Sequence, residues 1–340
     1  MLETLGQYKI LDRIGVGRTG SVYRARDMRA GRTVAVRVVA DEIVNDPQSR
    51  EGFLRAARAT AALSHPSLAT LYEIGEDQGH LFLVFEYVPG KTLAALISDR
   101  ALNTRHALDV AIQLADALAI AHANAVIHGG IHPGNIVETP KGHAKFLDFG
   151  LSVPISRLED GQQVTVTGAG ARPHDVAYAS PELLLGESVD HRTDIYSLGA
   201  VLFEMLTGKP PFTGATTNEL AKQILETPAT SPSGMAARLQ PALDAILRRM
   251  LAKNANERYE GAAAPAAELR SVVAVLDAES AAAVNVRAPR HHESPVVVKA
   301  DRRGGAFWIA IGLGVFVVVM LVAMASDVGR RWLSSLIPPW

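Results

Sequence analysis

His128-Gly129-Gly130-Ile131-His132-Pro133-Gly134-Asn135, continued by Ile136-Val137 and then by Asp148-Phe149-Gly150, is the stretch whose reading decides the fold. An isolated Asp-Phe-Gly tripeptide carries little information. Behind a His run that closes on Pro-x-Asn-Ile-Val, at this distance, it is specific. The stretch is approached through apolar positions at helical spacing, Leu108, Val110, Ile112, Leu114, Ala115, Leu118 and Ala119, which predict a buried helix ending near His122-Ala123-Asn124-Ala125.

Working outward, Gly15, Gly17, Gly20 and Val22 give a G-x-G-x-x-G-x-V spacing. In dinucleotide-binding folds such glycines follow a strand and open a helix. Here the flanks, Tyr8 to Leu11 and Ser21 to Arg26, read as strands on both sides, which predicts a hairpin. Its glycines would let the backbone approach a triphosphate closely, or would simply make a tight turn. Thr33 to Val39 is a strand by its β-branched run. Arg50 to Leu63 reads as a helix that stops before Ser64-His65-Pro66. Leu81 to Gly90 is an apolar strand that runs into a turn.

In this order the motifs resemble those of the bacterial eukaryotic-like (Hanks-type) Ser/Thr protein kinases, over roughly Tyr8 to Val275. The resemblance implies an α+β, bilobal fold with a small β-rich lobe (residues 8–85), a hinge (86–90) and a large helical lobe (91–276). It implies an ATP site built from Ile14, Gly15, Gly17, Gly20, Val22, Ala35, Arg37, the backbone of Glu86 to Val88, and Val137, with Phe85 as gatekeeper. Asn135 and Asp148 would hold Mg2+. Leu151 to Ala179 would be the activation segment, where Thr165 and Thr167 resemble phosphorylated threonines. Tyr178-Ala179-Ser180-Pro181-Glu182 resembles the family's A-P-E segment and Asp194 to Gly199 its D-x-W-S-x-G. Asp194 is expected to brace the backbone of the catalytic loop, and Arg258 to form a buried ion pair with Glu182.

The departures cluster. The family's catalytic loop reads H-R-D-L-x-x-x-N, and its Asp accepts the proton of the substrate hydroxyl. Here Gly129 and Gly130 stand for Arg and Asp, and His132 stands at the loop Lys. Arg37 stands at the strand Lys, and its planar fork is not a Lys point charge. The helix Glu that pairs with that Lys falls at Ala56, with Glu51 more than a turn away. Asp175 stands where these kinases carry a Thr. The scaffold positions are intact, which is the pattern of a pseudokinase. A general base supplies about 10²–10⁴-fold, and phosphoryl transfer relies more on positioning and charge. Turnover is thus expected to be negligible, with His132 as the substitute base to consider.

The chain has 340 residues, 48% apolar, a net charge of −1 and no Cys. Disulfides, Cys-zinc sites and thiol catalysis are excluded, and bulk charge gives no argument for nucleic acid. Met1 to Lys9 lacks a basic start followed by an apolar core, so no signal peptide is expected. Gly304 to Ala325 is almost wholly apolar, flanked by Arg302 and Arg303 and by Arg330 and Arg331, with Trp308 and Trp332 near its ends. It reads as one membrane span, 304–326. Residues 277–303 would be a polar linker and 327–340 a short outer tail, with the kinase-like domain cytoplasmic. Gly304, Gly305, Gly312 and Gly314 would permit helix pairing, so dimerisation stays open. Three functions follow. The first is a membrane-anchored pseudokinase that binds ATP and signals to a protein partner. The second is a weak Ser/Thr kinase acting on a protein substrate. The third is an interaction scaffold that binds no nucleotide.

Overall fold

The alternating apolar residues between Tyr8 and Glu86 build one antiparallel sheet in the computed structural model, which describes residues 2–17, 19–98, 100–151, 176–235 and 240–287. Its strands are β1 (Thr4–Leu5), β2 (Tyr8–Gly17), β3 (Gly20–Asp27), β4 (Arg32–Val39), β5 (Leu71–Asp77) and β6 (His80–Glu86). They lie in the order β1-β2-β3-β4-β6-β5. The period of two along β4 sorts its side chains. Val34 and Val36 pack with Leu5, Tyr8, Ala25, Phe82 and Val84. Ala35 and Val39 belong to the other face, with Ile43, Phe53, Ala57, Leu83 and Phe85. Arg37 shares that second face by the same alternation.

Helix α1 (Asp41–Asn45) leads into α2 (Pro47–Ala61). The helix expected over Arg50 to Leu63 has an earlier start. Asp46 caps it, accepting from Ser49 N at 2.7 Å, and Pro47 occupies the first turn. The second lobe opens with β7 (Lys91–Thr92), α3 (Leu93–Ile97) and α4 (Thr104–Ala123). A 3₁₀ turn at Pro133–Asn135, β8 (Ile136–Glu138) and β9 (Ala144–Phe146) follow, and β7-β8-β9 pair in a small sheet. Then come α5 (Pro181–Leu184), α6 (Arg192–Thr207), α7 (Thr217–Glu226), α8 (Pro232–Met235), α9 (Pro241–Met250) and α10 (Ala263–Arg287). α4 buries the predicted face, Leu108, Leu114, Ala115 and Leu118 included, and α6 is buried almost all round, as the central helix of this lobe.

The expected boundary at residue 276 falls within a helix, because α10 continues through Ala-rich sequence to Arg287. Asp277 pairs there with Arg105, and Glu279 accepts from Gln240 Nε2 at 3.1 Å. The expected linker at 277–303 therefore begins inside a helix. The expected span at 304–326, its glycines and the tail at 327–340 lie outside the described residues. No described helix is long and apolar enough to cross a membrane.

Candidate nucleotide site between the lobes

The glycine loop is a hairpin, as its flanks predicted: β2 pairs with β3 down to Gly17 and Gly20. No helix follows it, so the dinucleotide reading fails. Gly20 sits at φ +130°, and a Cβ there would lie 1.9 Å from the Val38 carbonyl oxygen. Only glycine allows this approach. Ala40 N donates to the Thr19 carbonyl at 3.1 Å, which draws the loop tip onto the end of β4. Gly15 lies opposite Val22, and Val22 opposite Arg37, while Ile14 is exposed.

Arg37 is 3% exposed. Its guanidinium pairs with Asp148 through Nη2 and donates to Thr19 Oγ1 through Nη1. Its Nε has no partner among the described residues. Ala56, in α2, offers no carboxylate, and Glu51 is exposed and paired with Arg55 at 2.9 Å. One turn beyond Ala56, Thr60 donates its hydroxyl to the Phe149 carbonyl at 3.1 Å and to Ala56 O at 3.0 Å. This fixes the face of α2 that carries residues 56 and 60 over Asp148-Phe149-Gly150. Gly150, at φ +68°, meets that hydroxyl so closely that a Cβ would stand 2.5 Å from it.

At the hinge, Phe85 is buried opposite Ala35. The Glu86 amide donates to Thr70 O at 2.8 Å, and its carboxylate takes Lys145 Nζ at 2.8 Å. The Glu86 N–H is therefore not free for a base, which leaves the carbonyls and Val88 to recognise one. Val137, 6% exposed on β8, lies on the larger lobe's side of the hinge, near Gly90.

The loop from His128 is held from below. Asp194, fully buried in α6, accepts from His128 N and Gly129 N at 2.8 Å each and from His122 Nε2 at 2.9 Å. Asn135 Nδ2 donates to Gly130 O at 3.1 Å. The His128 ring is wholly buried between Phe146 and Phe149, with centroids 5.1 and 4.8 Å away. Burial pushes its pKa below the usual histidine range, so it is neutral. His132 Nδ1 accepts from Gly134 N at 3.1 Å. A neutral ring then carries its proton on Nε2. His132 is oriented to donate rather than to accept, which argues against its use as a substitute base. Gly130 has no side chain at all. Arg258 meets Glu182 through two bonds of 2.7 Å, as expected. Burial alone would raise the Glu182 pKa, but the guanidinium and Thr193 outweigh it and hold it below the usual carboxylate value. Asp175, Thr165 and Thr167 lie outside the described residues.

Sequence reasoning missed Thr19, Thr60 and Lys145. Thr60 had a signal in its place one turn after Ala56, whereas nothing in the sequence joins Lys145 to Glu86.

A twisted antiparallel sheet with one long helix, joined by a hinge to a helical lobe, with a glycine hairpin above and an Asp-Phe-Gly loop below, defines the protein kinase fold. Residues 8–268 match the family described as "Protein kinase domain", and the chain belongs to it. It is 36% identical over 308 residues to "Serine/threonine-protein kinase PknB" of Mycobacterium tuberculosis, covering 85% of this chain and 49% of that protein. It is 35% identical over 262 residues to "Probable serine/threonine-protein kinase SCO3848" of Streptomyces coelicolor, covering 76% of this chain and 38% of that protein. The chain thus spans half or less of the length of these relatives. Among solved structures, the kinase domain of Mycobacterium tuberculosis PknI superposes with a TM-score of 0.61 at 24% identity, over 79% of this chain and 97% of that one.

The arrangement suits a nucleoside triphosphate. A buried guanidinium, one of whose N–H groups has no partner among the described residues, lies under a hairpin that only glycine can close. It suits a divalent cation less well. Of the two oxygen donors implied by the resemblance, the Asp148 carboxylate already holds Arg37, and Asn135 is tied by its amide nitrogen to Gly130. No cluster of three His, Asp or Glu groups able to hold a metal occurs among the described residues.

Proposed function

We propose that this chain is a kinase-fold signalling protein that binds a nucleoside triphosphate between its lobes and transfers phosphate at a negligible rate. It acts by presenting its nucleotide-dependent shape to a protein partner, anchored through 304–326 with the kinase-like domain in the cytoplasm. The observation that carries the reading is at residue 130. A glycine stands there, its carbonyl bound by Asn135, and the nearby His128 is buried and neutral. Among the described residues, position 130 itself offers no side chain to take a proton from a hydroxyl. Arg37, the glycine hairpin, Ala35 and Val137 supply the nucleotide cradle. The apolar run at the C-terminal end supports the anchor.

The test pairs titration of the full chain with a fluorescent ATP analogue and assay of γ-phosphate transfer to a generic protein acceptor. Binding is expected, with transfer at or near background. A Gly130→Asp variant should regain up to ~10²-fold in transfer, the low end of what a general base supplies. Absence of nucleotide binding sinks the proposal and leaves the scaffold reading.

The second reading is a low-activity Ser/Thr protein kinase. It is favoured by relatives named as such at 36% identity. Transfer by the unaltered chain that disappears in Asp148→Ala would establish it over the first.

A further inference from the structure

We infer that Arg37 serves this site as its cation, so that the nucleotide is bound as a free polyanion without a divalent metal ion. The inference rests on the nucleotide-binding reading above and deepens it. Its basis is the ion pair between Arg37 and Asp148. Arg37 is 3% exposed, so its charge is held inside the protein and must be balanced there. A guanidinium keeps its proton at any working pH. Asp148 is the acid that balances it, and the α2 position facing this loop is Ala56, which has none to offer. Were a carboxylate present at 56, it could hold Arg37 and leave Asp148 to a metal. With alanine there, a divalent ion must displace a buried guanidinium from its counter-charge or share one carboxylate with it.

The rest of the geometry agrees. Thr19, at the tip of the glycine hairpin, accepts from the other arm of the same guanidinium. The fork therefore links the loop above the phosphates to the loop below them. Its Nε–H, buried and without a partner among the described residues, is a remaining donor for an acceptor. Asn135, the other metal donor implied by the resemblance, is committed through its amide nitrogen to the backbone at residue 130. It offers a hard cation only its neutral carbonyl, where Mg2+ ordinarily takes carboxylates together with substrate phosphates.

The experiment is equilibrium binding of a fluorescent ATP analogue to the full chain, in EDTA and in excess Mg2+. Two variants accompany it, with thermal unfolding followed on each. The unaltered chain should bind in EDTA with a Kd equal to or lower than that in Mg2+. Arg37→Gln should lose at least about tenfold in EDTA, the scale of one lost charge-assisted contact to phosphate. Ala56→Glu gives Arg37 its own carboxylate and frees Asp148. Its binding should become Mg2+-dependent, by about tenfold or more on the same scale. Binding by the unaltered chain that requires Mg2+ overturns the inference and leaves the nucleotide-binding reading standing. Binding in neither buffer by a folded chain overturns both. Arg37→Gln that binds in EDTA as tightly as the parent also overturns the inference. If that variant unfolds, the comparison of parent and Ala56→Glu decides alone.

Discussion

Asp194 bears the backbone of the loop that distinguishes this site, and its removal is the sharpest test of how that loop is held. The carboxylate is fully buried and accepts three bonds, from His128 N, Gly129 N and His122 Nε2, at 2.8, 2.8 and 2.9 Å. Bonds to a charged group contribute about 1.5–3 kcal/mol each. Asp194→Ala strands the buried His128 N–H and the half-buried Gly129 N–H, while relieving the cost of burying one charge. The two backbone bonds alone set a loss of roughly 3–5 kcal/mol after that relief. A native stability of about 5–15 kcal/mol leaves the variant folded but marginal. Asp194→Asn keeps the shape and one acceptor, yet turns an NH2 group towards a donor, so about half that loss is expected. Urea denaturation measures both, as a lower midpoint at unchanged slope. Hydrogen exchange at His128 and Gly129, read by mass spectrometry, separates a loosened loop from a weakened whole. In Asp194→Asn the loop amides should lose protection well before those of α4. A loss below about 1 kcal/mol for the alanine variant, or loop protection that falls no faster than α4, would refute the bracing argument.

Arg258 uses all its donors: two bonds to Glu182, and one each to the carbonyls of Ala252, Lys253 and Arg192. Arg258→Met should cost about 3–5 kcal/mol, because it leaves Glu182 buried and unpaired. Adding Glu182→Gln should then restore part of the loss, and a double-mutant cycle with coupling under about 0.5 kcal/mol would contradict the pairing. Glu182 titrates low in the folded chain, so its contribution is present above the unfolded carboxylate value and fades as pH falls through the depressed folded one. His128 gives a window nearer neutrality. Its folded pKa lies below the unfolded value of about 6.5, so the unfolded chain binds the extra proton, and stability should fall as pH drops below that value. The slope is at most about 1.4 kcal/mol per pH unit, and His128→Phe should flatten the profile between pH 7 and 5 by up to that amount. Parallel profiles for variant and parent would show that the ring is not held neutral.

Much of the framework could be read from residue order because it depends on short-range pattern. The β-branched run from Thr33 to Val39 could be nothing but a strand with two distinct faces. The flanks of Gly15, Gly17 and Gly20 announced a hairpin, because strand residues stand on both sides. The roles of Asp194, and of Glu182 with Arg258, followed from the motif that each occupies. The start of α2 was also written locally, in the cap at Asp46 and in Pro47 at the first turn, ahead of the expected Arg50. The end of the larger lobe was not. Alanine-rich sequence after Leu276 continues as helix, since Arg105 and Gln240 wait there for Asp277 and Glu279.

The chemistry between the lobes divides along the same line. Residue order alone established that Gly130 cannot take a proton, that Ala56 cannot hold a cation and that a positive charge persists at residue 37. It did not say where that charge goes. Arg37 turns to Asp148 and Thr19, Lys145 reaches across to Glu86, and Thr60 holds the Phe149 carbonyl. Each of these joins segments far apart in the chain. A side chain's type is fixed by its codon, but its partner is fixed by which opposite charges and acceptors burial brings within about 3 Å. Only the folded arrangement of the two lobes sets that distance.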